Sequence, residues 1–356
     1  MLSEVFNGKI YYLQIMDENG KIDENQMPKD VDDGMIVEMY KNMSFARALD
    51  AKVLSLQRQG RAATYAPLIG EEATQIGSAM AMRRDDFFVP NFRQHGVYLV
   101  RGLPLELFFI YWRGFEDGNM IPENVNGLTV AVPVGTQLPH AAGIAYAFKY
   151  QKKDRAVVTY VGDGGTSEGE VYEALNFSGV FKLPLVTIIE NNQWAISVPR
   201  EKQSAAETLA QKGFAAGFKN IIQVDGNDVL AVYKATKDAI ARSTEGPSLI
   251  ECVTYRMSMH TTSDDPTKYR SDEEVNRWAA KDPISRVRKY IEGKGLWNDD
   301  LESKMAEEQK KKIDDSVEKA EKFAPDPKTM FEYVYSYLPP VLKEELDDAT
   351  AANFYL

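Results

Sequence analysis

Two polar clusters in this sequence could together bind a metal–phosphate group. The first is Gly-Asp-Gly-Gly at residues 162–165, and the second is Asn-Asn at residues 191–192. Glycines let the backbone approach a phosphate closely, and a helix that begins after such a turn offers free N–H groups to an anion. Carboxylate and amide oxygens are hard ligands that suit Mg²⁺. The pattern predicts a magnesium diphosphate site, with Asp163 and Asn192 as metal ligands and Asn191 as a turn former.

Three other interpretations of the glycine-rich cluster are weaker. A P-loop requires a lysine after its last glycine, but Glu170 follows Gly169. A dinucleotide-binding turn requires a third glycine where this sequence has Ser167. A plain tight turn, with the asparagines ending a strand through their own hydrogen bonds, explains either cluster alone. Both clusters at matched strand ends favour a binding site.

The elements around the clusters decide whether they meet. Residues 157–161 and 185–189 are apolar at nearly every position, as expected of strands buried on both faces. An amphipathic segment at residues 170–181 lies between them. This strand–helix–strand order predicts a right-handed crossover between parallel strands, and ligands of open parallel sheets bind beyond the carboxyl ends of the strands. The two clusters should therefore lie side by side.

The remaining hydrophobic pattern predicts an α/β fold with a parallel sheet flanked by helices. We expect an N-terminal arm at residues 1–33, an α/β domain at residues 34–298 and a C-terminal helical extension at residues 299–356. The arm should contain a hairpin turn, and it would either pack on the edge of the domain or grip a partner subunit. Predicted helices lie at residues 35–59, 71–82, 105–112, 138–150, 229–242 and 300–322, and further strands at residues 130–134, 221–224 and 249–255.

Composition excludes several classes of function. The chain has 53 acidic and 42 basic residues and a formal net charge of −11, which argues against nucleic-acid binding. Its one cysteine, Cys252, excludes an intrachain disulfide, suits a reducing compartment and should be buried. No apolar run is long enough to span a membrane, and residues 1–10 lack the pattern of a signal peptide. We therefore expect a cytoplasmic protein that does not bind membranes.

Several longer motifs resemble the α subunit of the E1 component of 2-oxoacid dehydrogenase complexes. They are TQLPHAAGIAYAFK from Thr136, GDGGTSEGEVYEALNFSGVFKLP from Gly162, ENNQWAISVP from Glu190 and HTTSDDPTKYRSDEEVNRW from His260. The two polar clusters within them match the thiamine-diphosphate motif of that family. The resemblance covers nearly the whole chain and implies thiamine diphosphate and Mg²⁺ as cofactors.

The resemblance also implies roles for individual residues. Arg93 would hold the diphosphate, next to Phe92 in place of the family's tyrosine. Backbone groups of Val132 and Val134 would receive the aminopyrimidine ring. His260, on a polar loop, would be the active-site histidine, which can be charged or neutral near neutral pH. The implied cofactor site is Phe92, Arg93, Val132, Val134, Gly162, Asp163, Gly164, Gly165, Asn192, Trp194 and His260, with Asp163, Asn192 and the Trp194 carbonyl as metal ligands and His260 as the catalytic residue.

The reaction implied is the oxidative decarboxylation of a 2-oxoacid, with transfer of the acyl group to the lipoyl domain of a separate E2 protein. Ala66 replaces a histidine of many pyruvate-specific members. We expect this to widen the pocket and to favour branched-chain substrates, as in 3-methyl-2-oxobutanoate dehydrogenase. An α subunit of pyruvate or acetoin dehydrogenase E1 is the alternative. A non-catalytic regulatory module that binds magnesium and phosphate is a remote one.

A partner subunit follows from the same resemblance. In this family, loss of the cofactor's C2 proton depends on a glutamate that hydrogen-bonds the pyrimidine ring. Single-chain thiamine enzymes carry that glutamate on a second domain, and their chains are far longer than 356 residues. In two-subunit members the β subunit supplies it. We therefore expect an obligatory E1 β subunit in an α2β2 heterotetramer.

Overall fold

A parallel sheet forms the centre of the computed structural model, which describes residues 2–326 and 328–352. The strands of the described residues are β1 (Tyr12–Leu13), β2 (Phe87–Val89), β3 (Val157–Gly162), β4 (Leu185–Asn191), β5 (Trp194–Ala195), β6 (Val198–Pro199), β7 (Asn220–Asp225) and β8 (Ser248–Val253). Strands β5 and β6 form a short antiparallel pair outside the main sheet. The six-stranded sheet has the order β1-β7-β8-β4-β3-β2, and every pairing in it is parallel. The predicted fold class is confirmed.

Helices cover both faces of the sheet. They are α1 (Asp33–Arg58), α2 (Glu72–Ala81), α3 (His95–Arg101), α4 (Leu105–Trp112), α5 (Gln137–Tyr150), α6 (Gly169–Phe181), α7 (Arg200–Gln203), α8 (Gln211–Ala215), α9 (Val229–Ala241), α10 (Asp272–Ala279), α11 (Pro283–Gly293), α12 (Asp299–Glu321), α13 (Thr329–Glu332) and α14 (Pro340–Ala351). Most predicted helices agree with these bounds within one or two residues. Within residues 2–326 and 328–352, no helix is both long and apolar enough to cross a lipid bilayer.

Two buried apolar clusters lie on opposite faces of the sheet. In β3, Val158 and Tyr160 belong to the larger cluster, whereas Val157 and Val161 belong to the smaller one. Alternate residues of a strand point to opposite faces, so a strand covered on both faces must be apolar throughout. Cys252 on β8 is buried in the larger cluster, as expected.

One predicted strand is wrong. Residues 130–134 form an irregular segment that leads into the turn before α5. Just before this segment, the chain meets the edge strand β2 in an isolated bridge between Phe88 and Gly127. In this bridge the Phe88 N–H donates to the Asn126 carbonyl at 3.1 Å, and the Leu128 N–H donates to the Phe88 carbonyl at 3.0 Å. Beyond it the segment leaves the sheet, and Val132 and Val134 are 59% and 51% exposed. An apolar run forms a strand only where a neighbouring strand can hydrogen-bond its backbone, and this segment turns away from the sheet.

The N-terminal arm is fastened to the domain by buried polar groups. Strand β1 extends the sheet beside β7, and a turn at residues 17–20 closes a bridge between Met16 and Ile22. The Asp228 carboxylate accepts the N–H groups of Ile15 and Met16 at 2.6 and 2.7 Å. Arg286 donates to the Met16 carbonyl at 2.9 Å. The division into arm, domain and extension stays a prediction.

Replacing Asp228 by alanine should lower the free energy of unfolding by about 3 kcal/mol or more. Besides Ile15 and Met16, the carboxylate accepts the N–H groups of Leu230 and Ala231 at the start of α9. Each buried donor that loses its acceptor costs about 1–3 kcal/mol. Urea unfolding followed by circular dichroism measures the change.

Asp32→Ala is the matched control for this variant. Exposed Asp32 caps α1 through one bond from the Met35 N–H, at 2.8 Å. Its loss should cost only about 1 kcal/mol. Equal losses in the two variants would contradict the role of Asp228 in anchoring the arm.

Candidate functional site

A cavity of about 260 Å³ opens at the carboxyl edge of the sheet, where β3 and β4 end. The strand register places Gly162 opposite Glu190, so the segments that follow the two strands start side by side. Most of the residues singled out from the sequence line this cavity. They are Phe92, Arg93, Val134, Gly162, Asp163, Gly164, Gly165, Asn192, Trp194 and His260.

The glycine-rich turn brings Asp163 into the cavity wall. Close packing explains the two glycines that follow it, because a Cβ on Gly164 would lie 2.7 Å from the Cβ of Ala195, and one on Gly165 would lie 2.7 Å from a methyl group of Val161. Asp163 is buried, and burial raises its pKa to about 7. Its Oδ2 atom has no hydrogen-bond partner among the described residues. A buried carboxylate oxygen in this state is costly unless a ligand satisfies it.

Asn192 is held in a fixed orientation beside the turn. Its Nδ2 donates to Glu71 Oε1 at 2.7 Å, and its Oδ1 accepts the Trp194 N–H at 3.2 Å. The Trp194 carbonyl accepts from Arg256 Nη1 at 3.2 Å. The three residues named from the sequence as oxygen donors, Asp163, Asn192 and Trp194, therefore all line one cavity.

Two buried glutamates of the cavity were missed by the sequence analysis. Glu71 and Glu190 both line it, and each has one carboxylate oxygen that no described residue hydrogen-bonds. Burial raises the pKa of both side chains. Glu190 also accepts a short hydrogen bond from Gln94 Nε2. The sequence offered a weak signal for each. Glu190 directly precedes the Asn pair, and Glu71 lies in the loop before α2.

One buried guanidinium group, that of Arg93, lines the cavity, and a second, that of Arg256, lies next to the lining residues Trp194 and His260. Arg93 Nη2 donates to the His260 carbonyl at 3.1 Å, and Arg93 Nε lies 3.7 Å from Glu71 Oε1. Arg256 Nη2 donates to the Ile196 carbonyl and to Tyr269 Oη, both at 2.7 Å. Arg256 was not predicted, although it follows the apolar run of β8 and so leaves the sheet at the same edge as the other segments.

His260 lies between these two cations. Its Nδ1 is 3.3 Å from Arg93 Nη2 and 3.4 Å from Arg256 Nη1. Burial and the two nearby positive charges lower the pKa of His260 to about 4, so its ring is neutral near pH 7. Since guanidinium nitrogens can only donate, Nδ1 is the acceptor and Nε2 carries the proton. The ring of Phe92 packs edge-on against it at 5.8 Å.

Three residues discussed from the sequence lie outside the cavity wall. Val132 is exposed beside it, although its neighbours Ala131 and Pro133 line it. Ala66 is buried, and its carbonyl lies 2.9 Å from His95 Nε2. Asn191, the expected turn former, instead donates from Nδ2 to Glu251 Oε1 at 2.8 Å within β4 and β8.

The residues present fit a metal–diphosphate group. No three His, Cys, Asp or Glu side chains of residues 2–326 and 328–352 cluster as a metal site, so a cation here would need the neutral oxygens of Asn192 and Trp194 beside Asp163. Such a hard, all-oxygen donor set is the kind that Mg²⁺ takes when phosphates complete its shell. Arg93 and Arg256 supply the positive charge that a phosphate needs.

The chain is similar over most of its length to known proteins of one family. A family model described as "Dehydrogenase E1 component" matches residues 40–328, which include the whole cavity wall. The pyruvate dehydrogenase E1 component subunit alpha of Staphylococcus aureus strain Mu50 is 43% identical over 343 residues, 95% of this chain and 92% of that protein. The protein of the same name from Acholeplasma laidlawii is 45% identical over 337 residues, 93% of this chain and 97% of that protein.

Replacing Arg256 by glutamine should raise the pKa of His260 by about one unit from its value of about 4, because one nearby positive charge no longer opposes protonation. Labelled histidine and NMR titration measure this directly in a chain with only three histidines. His95 is an internal control, since burial and Arg93 keep its pKa at about 3 without Arg256. An unchanged His260 pKa would contradict the cationic environment.

Proposed function

The chain belongs to the dehydrogenase E1 component family as the α subunit of a thiamine-diphosphate-dependent 2-oxoacid dehydrogenase, and we propose that its substrate is pyruvate. Support comes from relatives at 43–45% identity, over 93–95% of the chain, whose names carry that substrate. The branched-chain preference expected from Ala66 has lost its basis, because Ala66 is buried against His95 and does not line the cavity.

The observation that carries this function is the meeting of opposite charges in one cavity. On the proposed assignment, the Asp163 and Asn192 side chains and the Trp194 carbonyl would hold Mg²⁺. Arg93 would hold the diphosphate, and Arg256 would add positive charge next to it. Support lies in the buried Asp163 oxygen that no described side chain satisfies, in the guanidinium group of Arg93 that lines the same cavity, and in that of Arg256 beside the lining residue His260.

The chain's own residues orient the reactants and hold a proton. When bound, thiamine diphosphate supplies the nucleophilic carbon and the electron sink that decarboxylation requires. His260 stays neutral, accepts at Nδ1 from the two arginines and keeps its proton at Nε2, where it can donate to an oxygen of the substrate. The proposed overall reaction ends with transfer of the acyl group to the lipoyl domain of a separate E2 protein.

A β subunit is the proposed cover of the cavity. Val132, Val134 and Ile196 are apolar yet exposed at its rim. Helices α5 and α6 both start at this edge and carry an outward aromatic group, defined as Tyr146, Phe177 and Phe181, with ring centroids 4.6–5.8 Å apart. Clustered exposed apolar side chains are typical of a protein interface. The exposed apolar residues at the cavity rim favour the subunit that would complete the site, and the aromatic group extends the proposed contact along the same two helices.

With its β subunit, thiamine diphosphate and Mg²⁺, the chain should oxidise pyruvate with a kcat/KM at least about tenfold above that for 3-methyl-2-oxobutanoate, since extra methyl groups in a pocket change discrimination by about that factor. Dye reduction measures both rates. A preference for the branched acid would contradict the substrate proposal. Turnover of neither acid by a well-formed complex would contradict the cofactor chemistry.

Replacing Asp163 by alanine should lower pyruvate turnover by more than about a hundredfold at fixed cofactor concentration, because even groups that merely support a metal ligand contribute ten- to a hundredfold. Dye reduction again measures the change. Asp238→Ala is the matched control, since exposed Asp238 on α9 forms an ion pair with Lys234 at the surface and does not line the cavity. Equal activity of the two variants would exclude Asp163 as a metal ligand.

Replacing Phe177 by lysine should weaken assembly with the β subunit by about a hundredfold, because a charge would be buried in an apolar contact. Analytical ultracentrifugation measures the fraction of the chain that is assembled in the heterotetramer at each protein concentration. Leu301→Lys is the control, because Leu301 on α12 has a similar exposure, 41% against 39% for Phe177, and does not belong to the outward aromatic group. Undiminished assembly of the Phe177 variant would place the interface elsewhere.

A further inference from the structure

Lys212 on α8 is a buried cation directly behind the metal-binding turn. Its residue is only 6% exposed. Its Nζ donates to the Thr166 carbonyl at 2.8 Å and to Tyr172 Oη at 2.6 Å, and it lies 4.6 Å from the centre of the Tyr172 ring. In the described ranges, 2–326 and 328–352, no carboxylate lies within 4.0 Å of this amine.

A buried charge without a counter-ion is unfavourable, so its position calls for a compensating interaction. Both groups that accept from Lys212, the Thr166 carbonyl and the Tyr172 hydroxyl, are neutral. The cavity on the other side of the turn is where the proposed diphosphate would lie, and a diphosphate carries more negative charge than one divalent cation neutralises. The positive charge of Lys212, just behind the turn, would therefore attract the negative diphosphate that the site is proposed to bind.

Hydrogen bonds connect Lys212 to the metal ligand. Thr166, which accepts from Lys212, donates from Oγ1 to the carbonyl of Asp163 at 2.7 Å. The bond from Lys212 polarises the peptide between Thr166 and Ser167, and the bond from Thr166 Oγ1 polarises the peptide between Asp163 and Gly164. The N–H groups of Ser167 and Gly164 therefore become better donors to an anion. Gln203 also hydrogen-bonds this turn, but its side chain is uncharged. Its Nε2 donates to the Gly164 carbonyl at 2.9 Å and to Ser167 Oγ at 2.6 Å.

We propose that Lys212 is a positioning residue for cofactor binding, whose buried charge fixes and polarises the turn at residues 163–168 and stabilises the diphosphate through it. This inference rests on the proposed function, because it assumes that the cavity receives magnesium thiamine diphosphate. It adds a residue from a helix outside the cavity wall, which neither the glycine motif nor the Asn pair indicates.

The test is the affinity of the assembled α and β subunits for thiamine diphosphate at saturating Mg²⁺, measured by calorimetry. Lys212→Met should weaken binding by about ten- to a hundredfold, as expected for groups that support a metal site indirectly. The loss in kcat at saturating cofactor should be smaller than the loss in affinity. Lys212→Arg should recover most of the affinity, because it restores the charge.

Inorganic pyrophosphate provides a second readout that a purely structural role would not change. As a competitor of the cofactor, it should lose affinity for the Lys212→Met complex by a similar factor, because Lys212 acts on the diphosphate. Lys289→Met is the matched control, since Lys289 also donates to a backbone carbonyl, that of Glu18 at 2.9 Å, but far from the cavity. The Lys289→Met complex should bind thiamine diphosphate and pyrophosphate with the affinities of the wild-type complex.

Three results would overturn the inference. They are wild-type affinity in Lys212→Met, equal weakening in Lys212→Met and Lys212→Arg, and a cofactor loss without a matching pyrophosphate loss. If Lys212→Met does not fold, Lys212→Gln serves in the same comparison with Lys212→Arg. Failure of the wild-type complex to bind the cofactor is a different result, because it would refute the proposed function itself.

Discussion

The site depends on the register of the central parallel strands. Gly162 of β3 lies opposite Glu190 of β4, and β4 continues this level into β8. The chain therefore leaves three adjacent strands at nearly the same height, which places Asp163 and Asn192 in the cavity wall and Arg256 next to the lining residue His260. A slip of one residue would exchange the faces of every side chain in a strand. Because both faces are buried in separate apolar clusters, such a slip would misplace both clusters together. Core packing thus fixes the geometry of the site.

The site combines charges that would be unfavourable apart. Arg93 and Arg256 are buried near each other, and burial together with their positive charges lowers the pKa of His260 and keeps its ring neutral. Glu71 and Glu190 are buried in the same site, with Glu71 3.7 Å from Arg93, and burial raises the pKa of both carboxyl groups. In a low dielectric such an arrangement is stable only when each group has partners, and it reorganises little when a charged ligand enters. The protein therefore holds fixed dipoles and charges around one cavity.

The sequence predicted the parts of this structure that have a local signal. Continuous apolar runs predicted β3 and β4, and the polar residues after them indicated Asp163 and Asn192. The strand expected at residues 130–134 was wrong because an apolar run carries no information on whether a neighbouring strand exists. Arg256 and the buried glutamates were missed for a related reason. A single arginine or glutamate in sequence resembles a surface charge, and only the convergence of β8, α2 and β4 makes it a buried part of the site.

The position of β1 in the sheet has a consequence for synthesis on the ribosome. Strands β3 and β4 are separated by one helix, so they can pair soon after both emerge. Strand β1 pairs only with β7, and 211 residues separate Gln14 from its partner Asp225. During that interval Ile15 and Met16, which end fully buried, have no site in which to pack. The first strand to be synthesised is thus among the last to dock, and until then it is a segment that chaperones can bind.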